Sequence, residues 1–524
     1  MQADFAIAVA LLAGSFLWLL FGVKLGYWDR DESEYAGVAH AMSQSGDFLV
    51  PRLFGKLYPD KPPLSEWVSA LSFRLFGEAE YTGRLPHIAL SAGACLLVFL
   101  MGSRAYGRRS GPMAAAIVGT SLLFLIYGRL FTTDAALLFF TVLTILCLHA
   151  VLEGRGGAWA VVVGGVSLGL AVLAKGPIGC LSPSLFVAGY AAARGTLRPP
   201  EPGRVTVLYA LSAVVGAPWF VAAALATKGE SLDAFVTREN IDRFLHPMEG
   251  HGGPVYYYVL ILLVGFFPWT GALPLCWKAV RRRDPLEWGL LAWGCGNLAF
   301  FSFSATKLPH YLLPSIPAFA LLIAGEAGRR AEWPARSLAW GMAVTGSSLF
   351  LGVVVTGCEW GLPGIAGELI GLFGGVAAVS LAAPLMAGRR RPGRLVVAVG
   401  VTASLLLSAL VPISLNNARC LPKLGKAAGR ARRPQEPVGS FQIDEPALVY
   451  YAGSPAASYW STPEEVVQAT RASPTGSILA WLESASGPAL ARNRSLSVRI
   501  LAQGWSLIEP TARGKLELCR VSAR

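Results

Sequence analysis

The sequence predicts a polytopic α-helical membrane protein that ends in a small α/β domain, and three observations carry that prediction. Of 524 residues, 54% are hydrophobic and 15% charged, and the mean hydropathy is +0.50. Soluble domains usually carry about 25% charged residues. Apolar runs recur at the length a bilayer requires, roughly 20 residues for a hydrocarbon core about 30 Å thick. Arginine clusters occupy alternate loops between those runs, the pattern that sets orientation in a membrane.

Taken in order, the apolar runs give about thirteen spans. They cover residues 5–23, 86–103, 111–128, 134–152, 158–174, 177–193 and 205–227, then 255–277, 286–304, 308–327, 337–357, 365–387 and 395–414. The first run lacks a basic leader and a small-x-small cleavage site, so it reads as a retained span. Arg104, Arg108 and Arg109 mark one set of loops, followed by Arg155, then Arg194, Arg198 and Arg204. The same set continues with Lys278 and Arg281 to Arg283, Arg329, Arg330 and Arg336, and Arg389 to Arg391 with Arg394. The short loops of the other set hold only Arg129, Lys175 and Lys307. The basic set is therefore predicted to be cytoplasmic. The N-terminus is then inside, and the long loops 24–85 and 228–254 and the tail from 415 are outside.

The net charge of +13 is accounted for by these topology signals, which excludes a nucleic-acid surface as its main meaning. None of the eight cysteines shows metal-ligand spacing. Cys95, Cys147 and Cys276 read as small core residues, while Cys420 and Cys519 share the tail and could pair in an oxidising compartment. The tail, 415–524, alternates short apolar runs such as Ala447–Tyr451 and Ser477–Leu482 with turn signals at Ala452–Pro455 and Ser473–Gly476. That pattern predicts an α/β domain. A basic linker, Lys423 to Arg433, precedes it and reads as solvated or close to lipid headgroups.

The first outer loop is the richest in chemistry. Asp31 can cap a helix whose Tyr35, Val38, Ala39 and Met42 share one face, as in a helix lying on a membrane. Pro62 and Pro63 restart a second helix striped by Leu64, Trp67, Val68, Leu71 and Leu75. Further ionisable residues stand at the outer ends of spans: Asp134, Lys175, Arg238, Glu239, Arg243, His246, His251, Lys307 and His310, with Tyr311. Taken singly, each reads equally well as a cap, a snorkelling side chain or a loop residue. Their convergence on one side of the membrane points to a cavity, because ionisable groups at bilayer depth are costly.

In order along the chain stand Asp31-Glu32 with Tyr35-Ala36, Ser45 to Pro51, Lys61-Pro62-Pro63-Leu64, Phe76-Gly77 and Arg84-Leu85-Pro86. Thr133-Asp134, Lys175-Gly176-Pro177, Glu239-Asn240 with Arg243-Phe244, His251 with Pro254 and Tyr257, and Lys307 to Pro314 follow. This ordered set resembles the bacterial aminoarabinose transferases and their protein O-mannosyltransferase-like relatives, over about residues 1–330. The resemblance implies a GT-C fold with juxtamembrane helices over 1–414. It also implies an inverting glycosyltransferase of the bacterial inner membrane. The donor would be a sugar on polyprenyl (undecaprenyl) phosphate. The acceptor would be lipid A, another envelope glycan or a protein on the periplasmic side.

The same resemblance assigns roles. Asp31 matches the catalytic base, with Glu32 and Asp134 orienting it or the acceptor. Lys61 matches a phosphate-binding lysine, and Tyr58, Arg243, Lys307 and Tyr311 are further candidates for the donor phosphate. The chain departs from the family at Glu34, where an arginine is common, and at Pro59-Asp60, where Phe-Glu is common. In some relatives that glutamate and a loop histidine hold a metal ion. Asp60 and His251 are therefore candidate ligands of a divalent cation, although the chemistry requires no cofactor. The competing class is a transporter or flippase for a polyprenyl-linked or lipid substrate. Such proteins tend to show internal repeats and helices broken near the midplane, and no repeat is visible here. A sensor or assembly protein would leave the loop motifs without a purpose.

Overall fold

The computed structural model describes residues 2–523 apart from 22, 28–29, 331–334, 361–369, 379–380, 382–391, 419, 444, 454–457, 485, 494 and 507–513. The chain divides into two compact units. One comprises 1–23, 59–68 and 84–411; the other comprises 24–58, 69–83 and 412–524. The second unit thus takes in most of the first long loop as well as the tail, where the sequence reading drew a single cut after 414.

The first unit is helical. Among the described residues, six stretches are long and apolar enough to cross a membrane. A seventh is the pair Tyr257–Gly265 and Thr270–Arg282, bent by 112°. Pro268, which has no N–H to donate, sits in that break. The predicted span 111–128 is also interrupted, into helices Ser110–Thr120 and Leu122–Tyr127. Most of the predicted span 365–387 lies outside the described residues.

Helices Thr133–Leu152 and Ala158–Lys175 pack together, Pro202–Ala226 lies against the latter, and Leu181–Ala193 lies against Pro285–Phe303. Small residues permit these approaches, as is common between membrane helices. A Cβ on Gly189 would stand 2.5 Å from the Trp288 carbonyl oxygen, and one on Gly289 would stand 2.8 Å from the Phe186 ring. At Lys175-Gly176-Pro177 the chain turns back on itself. Gly176 has φ +74° with the Phe235 ring beside it, and a Cβ on Gly179 would meet the backbone of Ala171.

The second unit contains a short hairpin, β1 (Arg52–Leu53) with β2 (Lys56–Leu57), and a five-stranded sheet. The sheet strands are β3 (Val438–Phe441), β4 (Ser458–Trp460), β5 (Ser477–Glu483), β6 (Leu496–Ser506) and β7 (Gly514–Ala523). Their order is β4-β3-β5-β7-β6. β3 runs parallel to β4 and β5, and β7 runs antiparallel to β5 and β6. Strand alternation sends side chains to two faces. Leu479, Trp481 and Leu518 pack with Leu421, Leu424 and Leu448 on one face. Ile478, Ala480, Leu482 and Cys519 pack with Val466 and Leu490 on the other. Cys420 belongs to the first face and Cys519 to the second, so the two thiols are free rather than paired.

The run Ala447–Tyr451 falls in a helix, Pro446–Tyr451, and the run Ser477–Leu482 in β5. Helix Pro463–Ala472 opens with a full capping box between Thr462 and Glu465, which satisfies two otherwise orphaned backbone donors. Helix Arg30–Ser45 packs on helix Pro446–Tyr451, and the Tyr27 N–H donates to the Tyr451 hydroxyl at 2.9 Å.

Candidate active site

The antiparallel pairing of helices Thr133–Leu152 and Ala158–Lys175 brings an N-terminus and a C-terminus to the same end of the first unit. Asp134 stands in the first turn of one helix and Lys175 in the last turn of the other. Each charge complements its helix dipole, and the two meet, with Lys175 Nζ donating to Asp134 Oδ1 at 2.6 Å. Neither side chain is more than 10% exposed. His310 Nε2 lies 3.8 Å from Asp134 Oδ2. The Lys175 ammonium lies 4.9 Å from the centre of the Tyr311 ring, close enough for a cation–π contact.

Facing this pair is a second charged group. Lys61 precedes the two prolines that start helix Leu64–Phe76, and Arg243 follows the π-helical turn Thr237–Asp242. Glu239, on that turn, accepts from Lys61 Nζ at 3.3 Å and from Arg243 Nη2 at 2.9 Å. Burial, the largest single influence, would lower the Lys61 pKa, but Glu239 together with Tyr311 and Asp60 holds the ammonium above its usual value. The Asp60 carboxyl is raised, first by burial and then by Glu239.

The two groups line one cavity with Phe235, Phe244, Phe300, Phe301 and Tyr311. Empty, it holds about 120 Å³. A largely apolar groove of about 590 Å³ adjoins it, within the usual range for small-molecule sites of about 300–1,000 Å³. Ile178, Asn240, Phe244 and Phe300 line both.

Of the predicted site residues, Asp60, Lys61, Asp134, Arg243 and Tyr311 line this cavity. Lys307 does not. Its ammonium donates to the carbonyls of Ser302 at 2.9 Å and Ser304 at 2.6 Å, capping the end of helix Pro285–Phe303. Asp31, Glu32 and Tyr58 belong to the second unit. There Asp31 is half-buried and Glu32 fully buried in the first turn of helix Arg30–Ser45. The Tyr58 hydroxyl donates to Glu34 Oε2 at 2.9 Å, and Arg30 Nε donates to Glu34 Oε1 at 2.7 Å.

His251 is not among the cavity-lining residues. Among the described residues no three His, Cys, Asp or Glu side chains are grouped as metal ligands. The cavity acids Glu239 and Asp134 already accept from cations, while the candidate ligand Asp60 lines the cavity. Lys175 and Glu239 were visible in the sequence as ionisable residues at span ends, but neither was assigned to the site.

A family model described as dolichyl-phosphate-mannose-protein mannosyltransferase matches residues 60–221. An undecaprenyl phosphate-alpha-4-amino-4-deoxy-L-arabinose arabinosyl transferase of Pectobacterium carotovorum is 28% identical over 78% of this chain and 76% of its own length. One from Edwardsiella ictaluri is 30% identical over 58% of this chain and 56% of its own length, so that match spans little more than half of the relative. The crystal structure of ArnT from Cupriavidus metallidurans bound to undecaprenyl phosphate superposes with a TM-score of 0.77, at 22% identity and 97% coverage of both chains. The chain thus resembles the aminoarabinose transferases over most of its length and shares the fold of ArnT. An oligosaccharyltransferase of Archaeoglobus fulgidus shares the fold more distantly, with a TM-score of 0.53 over 86% of this chain. Within this aminoarabinose transferase-like frame, Lys61, Asp134 and Lys175 all fall inside the matched stretch 60–221, whereas Glu239 and Arg243 lie beyond it.

Proposed function

We propose that the chain is an integral membrane glycosyltransferase. It moves a sugar from polyprenyl phosphate to an extracytoplasmic acceptor, lipid A or another envelope glycan. The observation that carries this reading is the junction of a cavity holding Lys61, Lys175 and Arg243, balanced by Asp60, Asp134 and Glu239, with an apolar groove, a pairing suited to a phosphate headgroup with an isoprenoid tail. Lys61 and Arg243 bind the phosphate, where fixed cations stabilise the charge that builds on the leaving group. The groove between Pro177, Leu181, Ile241 and Leu245 takes the start of the tail. Asp31, assigned from its motif alone, removes the proton of the acceptor hydroxyl. That oxygen then bonds to the anomeric carbon as the bond from carbon to phosphate oxygen breaks. Asp134, held by Lys175, positions the acceptor or the base.

The thirteen-span topology, with the cavity end facing the periplasm and the domain from 415 outside, belongs to the same proposal. It is supported by the alternation of arginine-rich and arginine-poor loops. An alkaline phosphatase fusion after Pro412 is expected to be active in a bacterial host and one at Arg282 inactive; the reverse pattern would overturn the orientation. Function is tested by incubating the purified protein with a polyprenyl-phosphate sugar and extracted envelope glycolipids, and reading products by mass spectrometry. No mass shift in any acceptor fraction would count against transfer.

A further inference from the structure

The two cations best placed for a phosphate are already engaged by an anion of the protein itself. Glu239 Oε2 accepts from Lys61 Nζ at 3.3 Å, from Arg243 Nε at 3.2 Å and from Arg243 Nη2 at 2.9 Å. One carboxylate oxygen thus gathers three donors from two side chains, much as a phosphate oxygen would. The Glu239 side chain is 1% exposed. Its other oxygen has no hydrogen bond among the described residues, and Arg238 Nε waits 3.6 Å from it. Glu239 stands on a π-helical turn, a form that recurs at functional sites. With this ion pair closed, the cavity holds about 120 Å³, well below the range of ligand sites.

We propose that Glu239 is a built-in surrogate for the donor phosphate, which keeps Lys61 and Arg243 paired in the empty site and competes with the phosphate for them in the loaded one. This rests on the polyprenyl-phosphate reading. Without a surrogate, Lys61 would keep only the neighbouring Asp60 and Arg243 only the exposed Glu249 at 3.8 Å, a weak compensation for two largely buried cations whenever the site emptied. With it, each turnover exchanges one anion for another, and Arg238 is placed to receive the displaced carboxylate.

The exchange matters most after transfer. The donor is a phosphodiester with a single negative charge. Its product is a phosphomonoester, which carries between one and two near neutral pH. The cations therefore hold the product more tightly than the donor. A competing carboxylate is what returns them to the empty state, so Glu239 is a positioning residue for the cations and speeds product release.

The test is binding of undecaprenyl phosphate to the full-length protein in nanodiscs, beside single-turnover and steady-state transfer. Glu239→Gln keeps the shape and removes the charge. It is expected to bind undecaprenyl phosphate about tenfold more tightly and to lower steady-state turnover by a larger factor than the single-turnover rate. Glu239→Asp withdraws the carboxylate by one methylene and is expected to tighten binding about threefold; it serves if the glutamine variant does not fold. A carboxylate that merely braces the two cations predicts the opposite, weaker binding in both variants, and that result overturns the inference. Wild-type protein that fails to bind undecaprenyl phosphate overturns the polyprenyl-phosphate reading beneath it.

Discussion

The first unit carries two clusters of buried ion pairs at opposite ends of the same two helices. At one end, Ser304 after helix Pro285–Phe303 and Tyr311 before helix Ile316–Arg330 border the cavity of Lys61, Glu239, Arg243, Asp134 and Lys175. At the other, Glu287 and Glu326 are shared among Lys278, Arg282 and Arg329 at 2.7 to 3.2 Å. Glu287 and Ser304 are separated by about 25 Å of helix at 1.5 Å per residue, close to the thickness of a bilayer core. Both clusters have short ion pairs and buried acids. They differ in what surrounds the cations. At the far end Lys278, Arg282 and Arg329 are 32–44% exposed and screened by water. At the cavity end Lys61, Arg243 and Lys175 are 10–16% exposed and face a concave space. Ion pairing alone therefore does not mark a site; buried cations beside a cavity do.

The largest effect expected from this contrast is on transfer. Lys61→Ala should lower turnover by about 10²-fold, the usual scale for removing a donor that meets transition-state charge. Lys61→Arg should retain part of it, since the charge survives but the geometry does not. Asp31→Asn should fold, because Asp31 stands half-buried within the first turn of helix Arg30–Ser45 rather than at its cap and asparagine keeps its shape, and it should lose about 10²-fold or more if Asp31 is the base. Turnover assays on monodisperse protein decide both. Wild-type rates for Asp31→Asn would pass the role to Glu32 or Asp134.

The far cluster should behave in the opposite way. Glu326→Gln strips a partner from Lys278 and Arg282 and is expected to destabilise the protein by about 2 kcal/mol. That lies between exposed and buried pairs. Transfer per folded molecule should be nearly unchanged. A large loss of turnover without a fall in melting temperature would dissolve the distinction between the two ends.

Glu66 sharpens the comparison as an acid that forms no ion pair among the described residues. It is 1% exposed, and neither carboxylate oxygen has a hydrogen-bond partner among the described residues. Burial pushes its carboxyl up to about 8. Between the ordinary value of 4.5 and about 8, the folded protein holds a proton there that the unfolded chain has released. Stability should therefore fall as pH rises through that window and level off above it. Glu66→Gln should raise the melting temperature at pH 8.5, leave it almost unchanged at pH 5, and flatten the profile between. An unaltered profile would show that Glu66 is ionised and partnered.

How much of this was legible in the sequence depends on the range of the forces involved. The apolar runs and the charged residues at their ends follow from local composition, and Lys61, Asp134, Arg243 and Tyr311 were named from order and motif. Lys307 lies apart from the residues that line the cavity because its partners are backbone carbonyls three and five residues upstream, and sequence does not reveal which orphaned carbonyls a lysine will cap. Glu239 was passed over as a partner because its value lies in reaching Lys61, 178 residues away. The bend within 257–282 was hidden for a similar reason, since hydropathy averages over a break that keeps its apolar content. Cys420 and Cys519 looked pairable until the helix after Cys420 packed it on one face of the sheet while β7 turned Cys519 to the other.

The groove beside the cavity has a kinetic consequence. Ile241 and Leu245, among its lining residues, are 50% and 60% exposed, so a lipid would slide in sideways from the surrounding film rather than descend from water. The quantity that saturates such an enzyme is the mole fraction of donor in the plane of the membrane. Adding inert phospholipid at fixed total donor should slow transfer, whereas diluting the whole suspension with buffer should not. An apparent KM stated per litre would then report the amount of lipid in the tube.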